Sequence, residues 1–247
     1  MIREHTEKIR PPRALWVPFE LGRPFGAPNR PEFQGDVLSA LLELFARPSG
    51  PVLEDYPYDV PQTDEMDAAW ACALPLPPLE PAATAAEALK QALLQEVGML
   101  APWYAESVRR RGRTTFHLSG LTPDRAPEIA AFLADMAAGQ DPQPPAGLVD
   151  PMPQALRSMA DDLKAYYTEA VNEQPGAPPP GGVRLWRWLY HETRLGRVLY
   201  DLRDRFAAEL RARTEANGGQ APPGPPPPLL IPARFTQRPE APAHGVP

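Results

Sequence analysis

The sequence predicts an α/β protein in which a small, mostly parallel sheet is flanked by helices and is followed by a C-terminal helical hairpin and a proline-rich tail. Three observations lead to this prediction. Two short apolar runs near the amino end are separated by a segment of helical periodicity, long amphipathic stretches fill the second half, and the 247 residues include 36 prolines. That proline content is roughly three times the average, so much of the chain must lie outside helices and central strands.

The first sixty residues carry the α/β signal. Residues 14–19 form a short β-rich run, the Gly/Pro loop 21–28 follows, and residues 51–54 form a second short strand. The segment 31–47 between them repeats apolar residues with the spacing of one buried helix face: Phe33, Val37, Leu38, Leu41, Leu42 and Phe45. A strand, a helix and a second strand in this order predict a right-handed crossover and parallel pairing.

The middle of the chain predicts a third strand over residues 68–76 and a Pro/Ala linker after it. A helix over 84–111 is expected to kink or split at Pro102, and residues 114–118 alternate weakly, as a further strand would. Residues 124–138 read as another helix.

The last third predicts two long helices, 153–173 and 183–216, joined by a proline–glycine linker. These helices define the expected hairpin, 152–217, inside a single α/β domain, 13–217, which follows an N-terminal extension, 1–12. Residues 218–247 are predicted to be a largely disordered proline-rich tail, in which Leu229-Leu230-Ile231 forms a short anchor on the body of the protein.

Composition excludes several functions. A net charge of −6 and a pI near 5.3 argue against nonspecific binding to nucleic acid. No apolar run approaches the length of about 18–20 residues that a membrane helix needs, and residues 1–13 are too charged for a secretory signal. We therefore expect a cytoplasmic protein that contacts neither membrane nor nucleic acid.

Cofactor and metal signals are equally sparse. The Gly/Pro loop lacks both the dinucleotide-binding glycine pattern and the phosphate-loop lysine. A single cysteine excludes an internal disulfide framework and cysteine-cluster metal sites, and the four histidines are scattered. The sequence therefore predicts no cofactor and no metal.

Cys72 is the one thiol and has two interpretations. In an apolar strand a free cysteine is usually a small, inert hydrophobic residue. If Cys72 instead lies beside Arg23 or a helix N-terminus, its thiolate would be favoured and would be able to attack a substrate. Turnover would then need an external thiol electron donor or a partner protein, because no second cysteine is present.

The Gly/Pro loop follows the first strand, at the strand end where open α/β sheets bind ligands. Glu20, Gly22, Arg23 and Gly26 lie in or next to it. The Arg23 guanidinium is suited to clamping the carboxylate of a small anionic substrate. The alternative is a rigid turn that seats the following helix.

Glu192 falls inside the apolar stripe of the last predicted helix, with His191 at its edge. A carboxylate on a buried face must be paired, hydrogen-bonded or protonated. Glu192 is therefore either a salt-bridge partner of a neighbouring arginine or a tuned acid–base group, with His191 beside the same pocket.

Residues 13–34 resemble the start of proteins related to the selenoprotein B component of the glycine, sarcosine, betaine and D-proline reductases. The resemblance rests on Pro18, Gly22, Gly26, Pro28 and Gln34, which match a strand that ends in a Pro-x-x-x-Gly-x-x-x-Gly-x-Pro type loop. It implies an α/β fold and the reductive cleavage of an amine from carbon by a selenocysteine or cysteine nucleophile, with electrons passed on by thiol carriers. This chain has no selenocysteine and no pair of redox cysteines, so only Cys72 is available as the nucleophile.

Three functional hypotheses follow. The first is a thiol-dependent oxidoreductase or reductase subunit, in which Cys72 attacks, the Gly22–Gly26 loop with Arg23 holds a small anionic substrate, and Glu20 or Glu192 transfers protons. The second is a noncatalytic partner or accessory subunit of a reductase complex, docked through the helical hairpin and the proline tail. The third is a small-molecule binding protein that uses Arg23 and Glu192.

Overall fold

The computed structural model of the protein describes residues 3–19, 23–26, 30–58, 70–72, 74, 81–176, 180, 182–220, 230–232, 235 and 237–238. The chain divides into two compact units, residues 1–68 and residues 69–247, whereas the sequence was expected to form one domain over 13–217. The two units are described separately below. The protein is mostly helical, with one small parallel sheet.

The amino-terminal unit contains the predicted strand–helix–strand arrangement. Helix α1 spans Arg3–Ile9, strand β1 spans Arg13–Trp16, helix α2 spans Pro31–Glu43 and strand β2 spans Val52–Asp55. A 3₁₀ turn, Leu44–Ala46, continues α2. The strands are parallel, and their register pairs Arg13 with Val52 and Trp16 with Asp55. The prediction of parallel pairing is confirmed.

A small aromatic and aliphatic core holds this unit together. Its buried members are Leu15, Val17, Phe19, Val37, Leu44 and Tyr56. The Arg13 side chain links the strand to the end of α2, because its guanidinium donates hydrogen bonds to the carbonyl oxygens of Leu44 and Arg47. The structure thus assigns Arg13 a fixed structural role.

The second unit is all-helical in its described residues. It consists of α3 (Ala85–Arg111), α4 (Ala126–Ala137), α5 (Met152–Val171), α6 (Gly182–His191) and α7 (Arg194–Ala216), with a 3₁₀ turn (Pro123–Arg125) before α4. One continuous core of leucine, alanine and aromatic side chains joins all five helices. The expected hairpin over 152–217 is therefore three helices rather than two.

Helix α3 begins and ends with strong local signals. The Thr84 hydroxyl accepts a hydrogen bond from the Glu87 amide and caps the helix, and the Glu87 carboxylate accepts a second hydrogen bond from the amide of Ala83, the residue before the cap. Gly112 ends the helix in the left-handed conformation, with a φ of 65°. Of the expected kink or split at Pro102, the split does not occur, because α3 runs through this residue. Gly98 and Pro102 are both exposed one turn apart, so water can solvate the carbonyl that the proline leaves without a donor.

The predicted helix 183–216 is interrupted after His191. The Thr193 hydroxyl accepts a hydrogen bond from the Gly196 amide at 3.0 Å and caps the start of α7. Gly196 then packs against the end of α6, where a β-carbon on it would lie 2.4 Å from the carbonyl oxygens of Leu189 and Tyr190. The threonine cap and the close backbone approach explain why one apolar stripe becomes two helices.

Two predicted strands of the second unit are absent from its described residues. Residues 70–72 and 74 lie in no helix or strand, and the rest of the expected strand 68–76 is outside the described part. Residues 114–118 also form no strand. The amides of His117 and Leu118 donate to Asp162, and that of Thr115 donates to Glu169, both on α5, instead of to a neighbouring strand.

The described part of the tail is anchored to this unit. Leu230, Ile231 and Phe235 are buried in the core, and the Tyr200 hydroxyl donates a hydrogen bond of 2.5 Å to the Phe235 carbonyl. The expected apolar anchor is confirmed for Leu230 and Ile231. Leu229 and most of the proline-rich segment lie outside the described residues.

Candidate functional site

Cys72 lies in the second unit, on a segment that is fastened to α6. The Arg184 guanidinium donates to the Trp70 carbonyl and sits 5.2 Å from the centre of the Trp70 ring. The Gln174 side-chain amide donates to the carbonyl of Ala71. Cys72 itself is half-buried and packs against the helical core.

The surroundings of Cys72 disfavour a thiolate. Burial, together with the smaller effect of the nearby carboxylates of Glu96 and Glu192, raises the pKa of the Cys72 thiol to about 12. Reactive cysteines sit in electropositive surroundings that lower the thiol pKa. The environment of Cys72 has the opposite sign, so this thiol is protonated at neutral pH.

Glu192 does not lie within a buried stripe. It follows the last residue of α6, its side chain is exposed, and the Arg184 guanidinium donates to both of its carboxylate oxygens. Of the two interpretations above, the salt bridge with an arginine is the one the structure shows. The arginine lies eight residues earlier, on α6.

His191 lies at the edge of the core, where the tail packs. Its ring is 6.4 Å from the Tyr200 ring and 5.9 Å from the Phe235 ring, and its buried Nε2 has no hydrogen-bond partner among the described residues. Burial lowers the pKa of the imidazole, and the charge of Arg187 lowers it further. The structure thus surrounds His191 with aromatic rings.

The Gly/Pro loop belongs to the amino-terminal unit. Gly26 has a φ of 85° and donates its amide to the carbonyl of Arg23, which is a turn that favours glycine. The Arg23 side chain is exposed. Glu20 and Gly22 lie outside the described residues. Arg23 thus belongs to the amino-terminal unit and Cys72 to the second unit.

Three described carboxylates of the second unit, Asp162, Glu96 and Glu169, are buried and were missed as candidates, and Asp162 and Glu96 accept the most hydrogen bonds among them. Asp162 on α5 accepts hydrogen bonds from the amides of His117, Leu118 and Ser119 at 2.8–3.0 Å, and from the Ser119 hydroxyl at 2.5 Å. Glu96 on α3 accepts from the amide of Arg194 at 2.8 and 2.9 Å and from the Tyr167 hydroxyl at 3.0 Å.

The sequence does contain a signal for both residues. Asp162 stands three residues after Met159 and four before Tyr166, and Glu96 stands three residues after Leu93, all of them on buried helix faces. A carboxylate at such a position needs internal donors. Asp162 organises the loop before α4, and Glu96 receives the first amide of α7.

An apolar surface on α2 is the main unpartnered feature of the amino-terminal unit. Leu38, Leu42 and Phe45 are 43, 53 and 74% exposed, and their spacing places them on one side of α2 and its 3₁₀ continuation. We call these three residues the α2 apolar face. The sequence predicted all six apolar residues of this segment on one buried face, but only Val37 among them is buried, with Phe33 and Leu41 half-buried.

A cleft lies next to the α2 apolar face. It has a volume of about 370 Å³ and lies among α1, β1, α2 and the Gly/Pro loop. Val37 and Leu41 line the cleft on the α2 side, and each directly precedes a residue of the α2 apolar face, Leu38 or Leu42. Ile9 of α1 and Phe25 of the Gly/Pro loop also line the cleft. The Arg13 guanidinium at its edge is already bound to backbone carbonyls. The cleft thus offers an apolar lining to a ligand.

Comparisons with known proteins found no relatives of this chain: no protein-family model, curated protein or solved structure matches it. Among the residues described, no group of three or more histidine, cysteine and acidic side chains is arranged to hold a metal ion. None of the described helices combines the length and the apolar character needed to cross a membrane.

Alkylation of Cys72 tests how reactive this thiol is. At pH 8 we expect iodoacetamide to react with the native protein at least about a hundredfold more slowly than with the same protein in guanidinium, because a pKa rise of about three units removes most of the thiolate. Mass spectrometry of quenched time points gives both rates, and every adduct reports Cys72 because the chain has one cysteine. A native rate within tenfold of the unfolded rate would contradict this account and restore the thiol hypothesis.

Proposed function

We propose that this chain is a noncatalytic partner protein that docks on another polypeptide through the α2 apolar face. The observation that carries the proposal is the exposure of three large apolar side chains, Leu38, Leu42 and Phe45, along one side of α2 and its 3₁₀ continuation. Large exposed apolar patches on folded proteins mark interaction surfaces, whereas single exposed apolar residues need no explanation.

Burial of this surface supplies part of the free energy that docking needs. Fully burying a leucine or phenylalanine side chain contributes about 1.5–3 kcal/mol, and about half or more of each of the three side chains is still in contact with water. Covering the α2 apolar face therefore supplies on the order of 3–5 kcal/mol before the cleft beside it is filled. A cluster of this kind is the usual energetic centre of a protein interface.

Thiol-dependent reduction, the first of the sequence hypotheses, has weaker support. Its nucleophile would be a half-buried thiol with a raised pKa, close to carboxylates rather than to cationic groups. The second hypothesis placed the docking surface on the helical hairpin and the tail. We transfer it to α2, because the described part of the tail packs on its own unit.

The proposal extends to the setting in which the protein works. The resemblance of residues 13–34 to the selenoprotein B family makes a reductase complex the first assembly in which to look for the partner. A cytoplasmic location, without contact to nucleic acid, is part of the same proposal.

Site-specific photocrosslinking tests the docking. With p-benzoylphenylalanine in place of Phe45, the full chain in its source cells should yield one discrete adduct with a second polypeptide. The added substitution Leu42→Asp should reduce the yield of that adduct at least tenfold, because it places a charged side chain in the apolar contact. The adduct should also form between the two purified proteins.

The matched control carries the photocrosslinker at Val149, which is 69% exposed but lies in the second unit. It should not yield the same adduct. The proposal fails if Phe45 gives no adduct, if Leu42→Asp leaves the adduct unchanged, or if the Val149 probe captures the same polypeptide equally well.

A further inference from the structure

We infer that the occupant of the α2 apolar face is an amphipathic helix with basic flanks, which inserts one large apolar side chain into the adjacent cleft. This inference rests on the proposed function and specifies the partner's chemistry. It is carried by three features of the amino-terminal unit: the distribution of charge, the pattern around α2, and the shape of the cleft.

The amino-terminal unit holds nearly all of the net charge of the chain. Residues 1–68 include twelve acidic and seven basic side chains, so they account for five of the six net negative charges. The second unit is close to neutral. An interface on the amino-terminal unit therefore lies in a negative potential, which steers basic partners towards it and repels acidic ones.

The charge on α2 itself is entirely acidic. Glu32, Asp36 and Glu43 are its only charged residues, and all three are exposed. At 100° per residue they follow one another along one side of the helix, next to the side that holds Leu38 and Leu42. Their carboxylates form no hydrogen bond or ion pair with any residue that the structure describes. Glu43 is also attracted electrostatically to Arg47, but all three carboxylates remain exposed to solvent. A row of exposed carboxylates beside an apolar stripe complements a helix with an apolar stripe and a lysine or arginine flank.

The cleft specifies the apolar part of the partner. Its volume of about 370 Å³ and its mainly apolar lining suit one or two bulky side chains, which would pack against Leu41 and Phe25. The residues of the α2 apolar face are four and three positions apart, which is the spacing of the side-chain ridges that pack into the grooves of a second helix. Gly35, one turn before Leu38, is exposed and has no atom within 4 Å of the position of its missing β-carbon, so the start of α2 offers room for a crossing helix.

Designed peptides test the inference with the full-length protein. Three 18-residue helical peptides are compared, which differ only in the residues of the stripe and of the flanks. The first has a leucine stripe with lysine flanks, the second a leucine stripe with glutamate flanks, and the third a serine stripe with lysine flanks. Fluorescence anisotropy at low salt should show binding of the first with a Kd on the order of 10 μM, and at least tenfold weaker binding of the other two. The first peptide should also lose affinity as salt rises, because screening weakens the attraction between exposed charges.

Two protein variants locate the site. Leu42→Asp should weaken binding of the leucine–lysine peptide at least tenfold, and replacing Glu32, Asp36 and Glu43 together by glutamine should weaken it several-fold and flatten the salt dependence. Val149→Asp, which changes an exposed apolar residue of the other unit to the same acid, should leave binding unchanged. Circular dichroism confirms that each variant is folded.

The outcomes separate the two proposals. Equal binding of the lysine- and glutamate-flanked peptides, or binding that Leu42→Asp does not affect, overturns the basic-helix inference. If photocrosslinking from Phe45 still captures a partner, the docking function stands while its assigned chemistry fails. Sedimentation that shows a dimer dissolved by Leu42→Asp would identify a second copy of this chain as the occupant and would also overturn the inference.

Discussion

Replacing Asp162 by alanine should lower the free energy of unfolding of the second unit by about 3–5 kcal/mol. The carboxylate is fully buried and accepts four hydrogen bonds, three from consecutive backbone amides and one from the Ser119 hydroxyl. Alanine would leave four donors without acceptors in a site that water does not reach. The loss of those acceptors, more than the small cavity, produces the expected effect.

Urea unfolding followed by circular dichroism measures this change, because most of the helix lies in the second unit. Asp162→Asn, which keeps one acceptor oxygen, should cost less than alanine and serves if the alanine variant does not fold. The control is Asp141→Asn, an exposed aspartate with no side-chain partner among the described residues, which should change stability by less than about 0.5 kcal/mol. A cost of less than about 1 kcal/mol for Asp162→Ala would refute the assigned role.

The stability of the second unit should fall as pH rises from about 4.5 to about 7, and Glu96 should cause it. Burial raises the pKa of Glu96 from 4.5 to about 7, although the amide of Arg194 and the hydroxyl of Tyr167 favour the ionised form. Within this pH range the folded protein binds a proton that the unfolded chain has already released. The contribution of Glu96 to stability is therefore present at low pH and is lost as pH rises towards its folded pKa.

The size of the effect follows from the shift. A difference of about 2.5 pKa units between the two states corresponds to about 3 kcal/mol, of which about 2–3 kcal/mol is lost between pH 5 and pH 8. Urea midpoints at several pH values give the wild-type curve.

Glu96→Gln is the matched variant. It keeps an acceptor oxygen for the Arg194 amide and does not titrate, so the contribution of every other group cancels when the two curves are subtracted. The difference in unfolding free energy between wild type and variant should change by about 2–3 kcal/mol over this range. Parallel curves for the two proteins would show that Glu96 has an ordinary pKa and would refute the prediction.

The sequence was most informative where local pattern determines structure. The strand–helix–strand order of the amino-terminal unit, the bounds of α3 and the apolar anchor at Leu230 all follow from short-range signals: short β-rich runs, helical periodicity and apolar runs. The parallel pairing of β1 and β2 follows from a general rule about crossovers, so it needed no knowledge of distant contacts.

The errors have a common cause in long-range contacts. Residues 114–118 have the composition of a strand, but Asp162 accepts hydrogen bonds from the amides of His117 and Leu118, and Glu169 accepts one from that of Thr115, both from more than forty residues later in the chain. The interruption after His191 had a visible local signal in Thr193, yet Glu96, almost a hundred residues earlier, supplies the second acceptor for the new helix end. Periodicity within one helix cannot reveal either partner.

The candidate site was predicted in part. Residue type identified Cys72 and Glu192 as chemically notable, but their roles depend on neighbours: the Arg184 guanidinium for Glu192, and burial beside carboxylates for Cys72. The exposure of the α2 apolar face could not be predicted from the spacing of its residues. Six apolar residues at helical spacing predict a buried face, and nothing in the spacing tells that the small core of the amino-terminal unit is too narrow to cover them all.

The tight contact at Gly196 has a mechanical consequence. The space there is smaller than a methyl group, so the angle between the last turn of α6 and the first turn of α7 is locked by backbone touching backbone. A displacement of one of these helices would therefore be transmitted to the other, because the angle between them is fixed at this contact. Descendants of this chain that retain the corner must retain a residue without a side chain at this position.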